Sequence, residues 1–193
     1  MTLFNDPAGP AHAPPIVLLD EARFPAFAAY LHRHLADNGQ PGHGHFQPIP
    51  AALSRFTPER AAAFAAGLAV PVGQPGWRRV WVAVDAAGAP VGHVDLRAHP
   101  EAWTAHRALL GLGVDTAWRR RGLARALCVH AIRWAAEDAG LAAIDLQVLG
   151  HNQAAISLYE SLGFERVGVW EDFFRIDGLS LAFTDMSLRL GPR

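Results

Sequence analysis

The stretch WRRRGLARAL, residues 118–127, places three arginines directly before a glycine and an apolar run with helical spacing. The apolar segment ALLGLGV precedes it and predicts a strand, so the arginines lie where a strand turns into a helix that begins near Gly122. A helix N-terminus presents unpaired N–H groups and the positive end of the helix dipole, which together bind anions. The arginines therefore indicate either a pyrophosphate site or a basic turn exposed to solvent, and by themselves they favour neither.

The composition predicts one globular domain with a small partner. The 193 residues, 51% of them hydrophobic, can build one sizeable core and are too few for two domains of ordinary size. We expect a flexible arm over residues 1–14 and the domain over residues 15–193. A net charge of −1 argues against the broad positive field of nucleic-acid or membrane-surface binding. All 17 cationic side chains are arginine, which suits planar contacts with anions and equally fits compositional bias.

The remaining composition predicts a cytoplasmic protein without a metal. Cys128 is the single cysteine and cannot form an internal disulfide. No apolar run approaches the roughly 20 residues that cross a bilayer. Ten histidines are present, but no cysteine accompanies them at metal-ligand spacing and no HExxH motif occurs.

Hydrophobic periodicity predicts the order of secondary structure. Asp20 is expected to cap a first helix that runs to about Asp37. Pro58 opens a second helix, and DAAG joins two strands of an antiparallel hairpin. The predicted order is a short opening strand, two helices, three strands, a helix, a strand, a helix and two strands.

Two other phosphate motifs do not fit. The Walker loop requires a lysine, and this chain has none. GLGVDT, residues 111–116, begins like a dinucleotide fingerprint, but Thr116 stands where its third Gly or Ala belongs.

The segment Arg119 to Ala124 matches the (Gln/Arg)-x-x-Gly-x-(Gly/Ala) signature of the GNAT superfamily of N-acetyltransferases, and HNQAAISLYESLGF at 151–164 resembles the second block of that family. The resemblance covers about residues 77–190; residues 1–76 match only as two helices. It implies an α/β (α+β) fold with a mixed, mostly antiparallel sheet of six to seven strands flanked by about four helices.

The resemblance implies acetyl-CoA as cosubstrate, with its pyrophosphate on the loop before the helix and its pantetheine arm along a bulged strand. Gly111 and Gly113 are compatible with such a bulge and equally with a reduction of side-chain bulk in a packed sheet. Asn152 read alone is a helix N-cap and Ala155 a core residue. The residues expected to contact acetyl-CoA are Leu112, Gly113, Val114, Arg119, Arg120, Arg121, Gly122, Leu123, Ala124, Arg125, Asn152 and Ala155.

The implied reaction is acetyl transfer to an amine by direct attack, with the Val114 N–H polarising the thioester. By resemblance Tyr159 protonates the leaving thiolate, although a lone aromatic would more often be a core residue. ALLGLGV has no ionisable residue for a base, so the candidates come from the neighbouring segment. His93 and Asp95 are two residues apart and share a strand face, where they act as the base or form a solvent-facing polar pair. The other candidates are His99, Glu101 and His106.

The acceptor is expected to be a small-molecule or peptide amine, with His45, Phe46 and His106 as substrate contacts. Two competing classes remain: a module that senses acetyl-CoA without turnover, and a regulator that binds another nucleotide. The sequence leaves a homodimer open.

Overall fold

The computed structural model describes residues 13–191. Most of the predicted arm lies outside the described residues, so the arm stays a prediction. The elements are β1 (Ile16–Leu18), α1 (Phe24–Ala36), α2 (Pro58–Ala69), β2 (Arg78–Val84), β3 (Pro90–Arg97), β4 (Arg107–Val114), α3 (Leu123–Glu137), β5 (Ala143–Leu149), α4 (Gln153–Ser161), β6 (Glu165–Ile176) and β7 (Leu179–Arg189), with 3-10 turns at Ala51–Leu53 and Thr116–Trp118.

Within residues 13–191, seven strands form one sheet in the order β1-β2-β3-β4-β5-β7-β6. Every neighbouring pair is antiparallel except β4 with β5. The predicted mixed, mostly antiparallel sheet with four helices is confirmed.

The helices divide between the two faces of the sheet. One face carries Val94, Leu96 and Leu110 and packs against α3 and α4. The other face carries Val80 and Val82 and packs against α1 and α2. Each face is therefore sealed by its own apolar core.

The start of α1 differs from the prediction. Arg23, not Asp20, occupies the N-cap position, and the Asp20 carboxylate accepts a hydrogen bond from the Arg23 backbone N–H at 2.9 Å. Pro25 lies within the first turn, where a missing N–H costs nothing. A helix that began at Glu21 would place this proline in its interior, where the ring clashes with the preceding turn.

The parallel pair β4 and β5 separates partway along its length. The two strands pair only over Arg107–Leu109 and Ala143–Asp145. Beyond Leu109, β4 stays with β3 as far as Val114, while β5 stays with β7 as far as Leu149. The separation opens a wedge in the middle of the sheet.

The edge of β4 that faces this wedge carries backbone groups that have no partner strand beyond Leu109. The Asp115 N–H donates to the Val91 carbonyl of β3, so by antiparallel alternation the N–H and C=O of Val114 and Leu112 point away from β3 and into the wedge.

The pairing of β3 with β4 runs without a register shift from Leu109 to Val114. The predicted bulge at Gly111 and Gly113 was therefore wrong: separation from β5, not a bulge, frees the strand edge.

Candidate active site

The wedge between β4 and β5 opens into a cleft of about 1370 Å³. The cleft continues between the start of α3, the start of α4 and the loop after α1. Most of the predicted site residues line it together. These are His45, Phe46, His93, Asp95, Leu112, Gly113, Val114, Arg119, Arg120, Gly122, Leu123, Ala124, Arg125, Asn152, Ala155 and Tyr159. Arg121 and His106 do not line the cleft.

The loop before α3 presents a run of free backbone donors. Gly122 is the N-cap of α3, as predicted, and has a left-handed φ of 79°; Arg120 is also left-handed, at 58°. Within residues 13–191, the N–H groups of residues 120–125 donate to no carbonyl and to no side chain. Alternating backbone conformations of this kind form concave anion sites, and the dipole of α3 adds to their positive potential.

The arginines of this loop have unequal roles. The Arg119 Nε donates to the Val114 carbonyl at 3.1 Å, which ties the loop to the end of β4. Arg125 donates to the Ser161 hydroxyl of α4 at 3.0 Å. The Arg121 guanidinium instead lies over the Trp118 ring, 5.3 Å from its centre, and its contact with a cofactor stays a prediction.

Helix α4 forms the opposite wall. The Asn152 side chain accepts a hydrogen bond from the Ala155 N–H at 3.2 Å, so Asn152 is the N-cap as well as a lining residue. Tyr159 is buried against Phe164, and within residues 13–191 its hydroxyl makes no hydrogen bond. Burial raises the pKa of this phenol above its ordinary value, which keeps it protonated at neutral pH.

His93 lies at the base of the cleft, directly opposite Gly113 of β4. A side-chain carbon at Gly113 would stand 2.5 Å from the His93 ring and 2.7 Å from His34 Nε2, so only glycine leaves room for both rings. The Tyr30 hydroxyl lies 3.1 Å from His93 Nδ1 and 3.3 Å from the Gly113 carbonyl oxygen. These contacts fix the imidazole in place.

Tyr30 and His34 were missed by the sequence analysis. They occupy α1 beside Phe27 and Leu31, on the stripe that packs against the sheet. His34 Nδ1 is buried without a hydrogen-bond partner among residues 13–191. A polar ring on an otherwise apolar helix face is the signal that could have identified it.

Burial suppresses the charge of these two imidazoles. It lowers the pKa of His93 to about 4 and that of His34 to about 3. His93 is therefore a neutral ring and a weaker base than the ordinary pKa near 6.5 predicts.

Asp95 lies beside His93 on the same face but is held in an ion cluster. Its Oδ1 accepts from Nη1 of both Arg78 and Arg97 at 3.0 Å, and its side chain fits over Gly111, where a Cβ would overlap Oδ2. Burial opposes ionisation, but Arg97 and Arg78 together hold the pKa of Asp95 below its ordinary value. The carboxylate is thus committed to two guanidinium groups, and the solvent-facing alternative for this pair was wrong.

The loop after α1 forms the roof of the cleft. The Asn38 side chain accepts from the Phe46 N–H at 2.8 Å, and His45 Nε2 lies 2.9 Å from Asp177 Oδ2. The Phe46 ring packs 4.9 Å from that of His34. His45 and Phe46 thus line the cleft, and their contact with a substrate stays a prediction.

The other candidate bases lie elsewhere. His106 is exposed at the far end of β4 from Val114. His99 sits between Glu101 and Asp145, at 3.0 and 2.9 Å from their carboxylate oxygens, outside the cleft. Only His93 and Asp95 of the five candidates reach the site.

Two further features of the described residues concern metal binding and membrane crossing. Among residues 13–191, no group of three or more His, Cys, Asp or Glu side chains is arranged to hold a metal ion. Over the same residues, none of the helices has the length and apolar character needed to cross a membrane.

Acid should destabilise this protein through the two buried imidazoles. Their pKa values lie below the ordinary value, so between about pH 6.5 and about pH 4 the unfolded chain binds more protons than the folded chain. The free energy of unfolding is then highest above pH 6.5 and falls as the pH is lowered through this window, by at most about 1.4 kcal/mol per pH unit for each ring. Urea unfolding at pH 7, 6 and 5 measures the slope. His34→Leu should make it shallower, and an unchanged slope would contradict a buried neutral His34.

The sequence matches a protein-family model and several curated proteins. A family model described as the Acetyltransferase (GNAT) family matches residues 55–164, more than half of the chain. The chain is 41% identical over 66 residues to the ribosomal protein bS18-alanine N-acetyltransferase of Escherichia coli K12, which covers 34% of this chain and 44% of that protein. The matches to curated relatives span less than half of each relative's own length.

Solved structures share the fold over nearly the whole chain. A GCN5-related N-acetyltransferase from Kribbella flavida superimposes with a TM-score of 0.71 at 26% identity, covering 92% of this chain and 98% of that one. The yncA protein of Salmonella typhimurium, solved with its cofactor acetyl-CoA, gives a TM-score of 0.75 at 20% identity, covering 93% and 95%. With the matched family model, the free amides before α3 and the divided sheet, the chain belongs to the GNAT family of acetyltransferases.

Proposed function

We propose that this protein transfers the acetyl group of acetyl-CoA to a primary amine by direct attack. The observation that carries the proposal is the run of free N–H groups at residues 120–125, at one end of the cleft that the separation of β4 and β5 opens. An anion site and an unpaired strand edge in one cleft suit a ligand that has both phosphates and amide groups.

The residues present fit acetyl-CoA. The amides of residues 120–125 would bind its pyrophosphate, with Arg120 and Arg125 as nearby cations. The outward-facing N–H and C=O groups of Leu112, and the Val114 carbonyl that also accepts from Arg119, would pair with its pantetheine arm as an added strand does. When bound, acetyl-CoA supplies an activated acetyl group as a thioester.

The amide of Val114 has a second role in this proposal. It points into the wedge at the end of β4, and the Arg119 side chain fixes the carbonyl of the same residue. A backbone donor held in this way stabilises negative charge that develops on an acyl oxygen without having to reorganise.

In this proposal His93, at the base of the cleft, and Tyr159, on the wall that α4 forms, transfer the protons of the reaction. His93 is neutral at physiological pH, so it can accept a proton once the attacking nitrogen becomes acidic. Tyr159 is protonated and buried, so it can donate to the departing sulfur. Asp95, which is ion-paired, has no such role and instead holds Arg78 and Arg97 in position.

The decisive experiment measures CoA release with purified protein, acetyl-CoA and a panel of primary amines. Release that depends on both protein and amine supports the proposal. Binding of acetyl-CoA without release for any amine would instead indicate a sensor. Stabilisation by ATP or NAD but not by acetyl-CoA would indicate a regulator that binds another nucleotide.

Gly122→Val should weaken acetyl-CoA binding by a factor of ten or more. Apart from its two chain neighbours, no heavy atom of the described residues lies within 4 Å of a Cβ built there, so the new side chain would extend into the open space beside the free amides. Its left-handed φ of 79° also strains any L-residue. Gly88→Val, with a φ of 80° in the turn between β2 and β3, is the matched control. Titration calorimetry should show weakened binding only for Gly122→Val, and equal affinities would contradict the phosphate site.

His93→Ala should lower kcat by about 10²-fold, near the lower end of the usual contribution of a general base because the ring is weakly basic. Acetyl-CoA affinity should stay within a few-fold. Added imidazole should restore part of the turnover by filling the space that the ring leaves. Normal turnover without imidazole would show that solvent removes the proton.

Tyr159→Phe should lower kcat by about 10²-fold, because the variant keeps the ring packed on Phe164 but loses the proton that a leaving thiolate needs. The dissociation constant for acetyl-CoA and the melting temperature should change little. A loss of stability at unchanged kcat would make Tyr159 a core residue only.

A further inference from the structure

The end of the cleft away from α3 is rich in positive charge. Arg60, Arg78 and Arg97 line it there, on α2, β2 and β3. Asp95 is the single acidic side chain among the described residues that line the cleft. This part of the cleft therefore has one carboxylate for three guanidinium groups, which are separate from the arginines of the loop before α3.

Two of these arginines are held in place but remain only partly neutralised. Arg78 and Arg97 both use Nη1 to contact the same oxygen of Asp95, at 3.0 Å, so the cluster of three keeps a net positive charge. The Arg78 guanidinium also lies 4.0 Å over the Phe64 ring. The side chains of Arg78 and Arg97 are 23% and 34% exposed, against 6% for Asp95. A ligand in the cleft can therefore reach the two cations more easily than the anion.

The cluster lies at a definite distance from the proposed proton acceptor. Asp95 is opposite Gly111 and His93 is opposite Gly113, on one face of the same two strands. Residues two apart on a strand are separated by about 7 Å. An acceptor whose amine approaches His93 therefore has the arginine pair within the length of a small molecule.

We propose that the acceptor is a small amine that carries a carboxylate, of the amino-acid class, and that Arg78 and Arg97 bind this carboxylate. This inference rests on the proposed function and names its substrate class. Guanidinium groups fixed by a shared counter-ion are suited to a second, bidentate carboxylate contact. A polyamine would instead bring further positive charge to an already positive wall, which disfavours its binding.

The test compares matched acceptors in the CoA-release assay. Each of the twenty amino acids is assayed as the free acid and as its C-terminal amide, together with spermidine. At least one free acid should exceed its own amide in kcat/KM by tenfold or more, and spermidine should be a poor acceptor.

The variant Arg97→Gln should raise the KM for that acid tenfold or more, with little change for its amide or for acetyl-CoA. Asp95 keeps Arg78 as counter-ion in this variant, and Arg97→Lys should recover part of the loss. Arg133→Gln, at an exposed position of α3 outside the cleft, is the control and should match the parent protein.

The outcomes separate the two proposals. Release with amides or spermidine but not with free acids, or an Arg97→Gln variant that affects acid and amide equally, would overturn the carboxylate inference and leave the transferase standing. If the protein binds acetyl-CoA but releases no CoA with any of the tested acceptors, both proposals are overturned.

Discussion

The separation of β4 from β5 after Leu109 is the constraint on which the rest of the site depends. Buried backbone groups need partners. The strand edge at Leu112 and Val114 has no neighbouring strand to supply them, although Arg119 donates to the Val114 carbonyl. In an unbroken sheet these groups would be satisfied internally and the cleft would be closed. The fold therefore leaves hydrogen-bonding capacity for a ligand at the centre of its own sheet.

The two faces of β4 serve different purposes. Leu110 faces α3 and belongs to the larger core, whereas Gly111 and Gly113 face the side of α1 and α2. A side chain at Gly111 would clash with Asp95, and one at Gly113 would clash with His93, so the two glycines leave room for these polar side chains of β3. Polar groups are costly to bury unless they are paired, and the pairing is supplied by Tyr30 for His93 and by two arginines for Asp95.

Local sequence patterns predicted the helices and strands and the loop before α3. Helical periodicity, Gly122 and the DAAG turn are all signals that depend only on residues close together in the chain. Contacts between distant segments could not be read in this way. The partnership of Tyr30 with His93 depends on how α1 packs on the sheet, and that of Arg78 with Asp95 depends on the register of β2 against β3. The resemblance identified most of the cleft, but it could not show that Arg121 turns to Trp118 or that β4 runs without a bulge.

The free amides before α3 have one more consequence, for how the protein would respond to its surroundings. They are placed to hold the phosphates, which acetyl-CoA and free CoA have in common, so the proposed anchor does not distinguish cosubstrate from product. Product would then compete for the same loop. The working rate would follow the ratio of acetylated to free CoA rather than the concentration of acetyl-CoA alone, and it would slow as the acyl supply is used up.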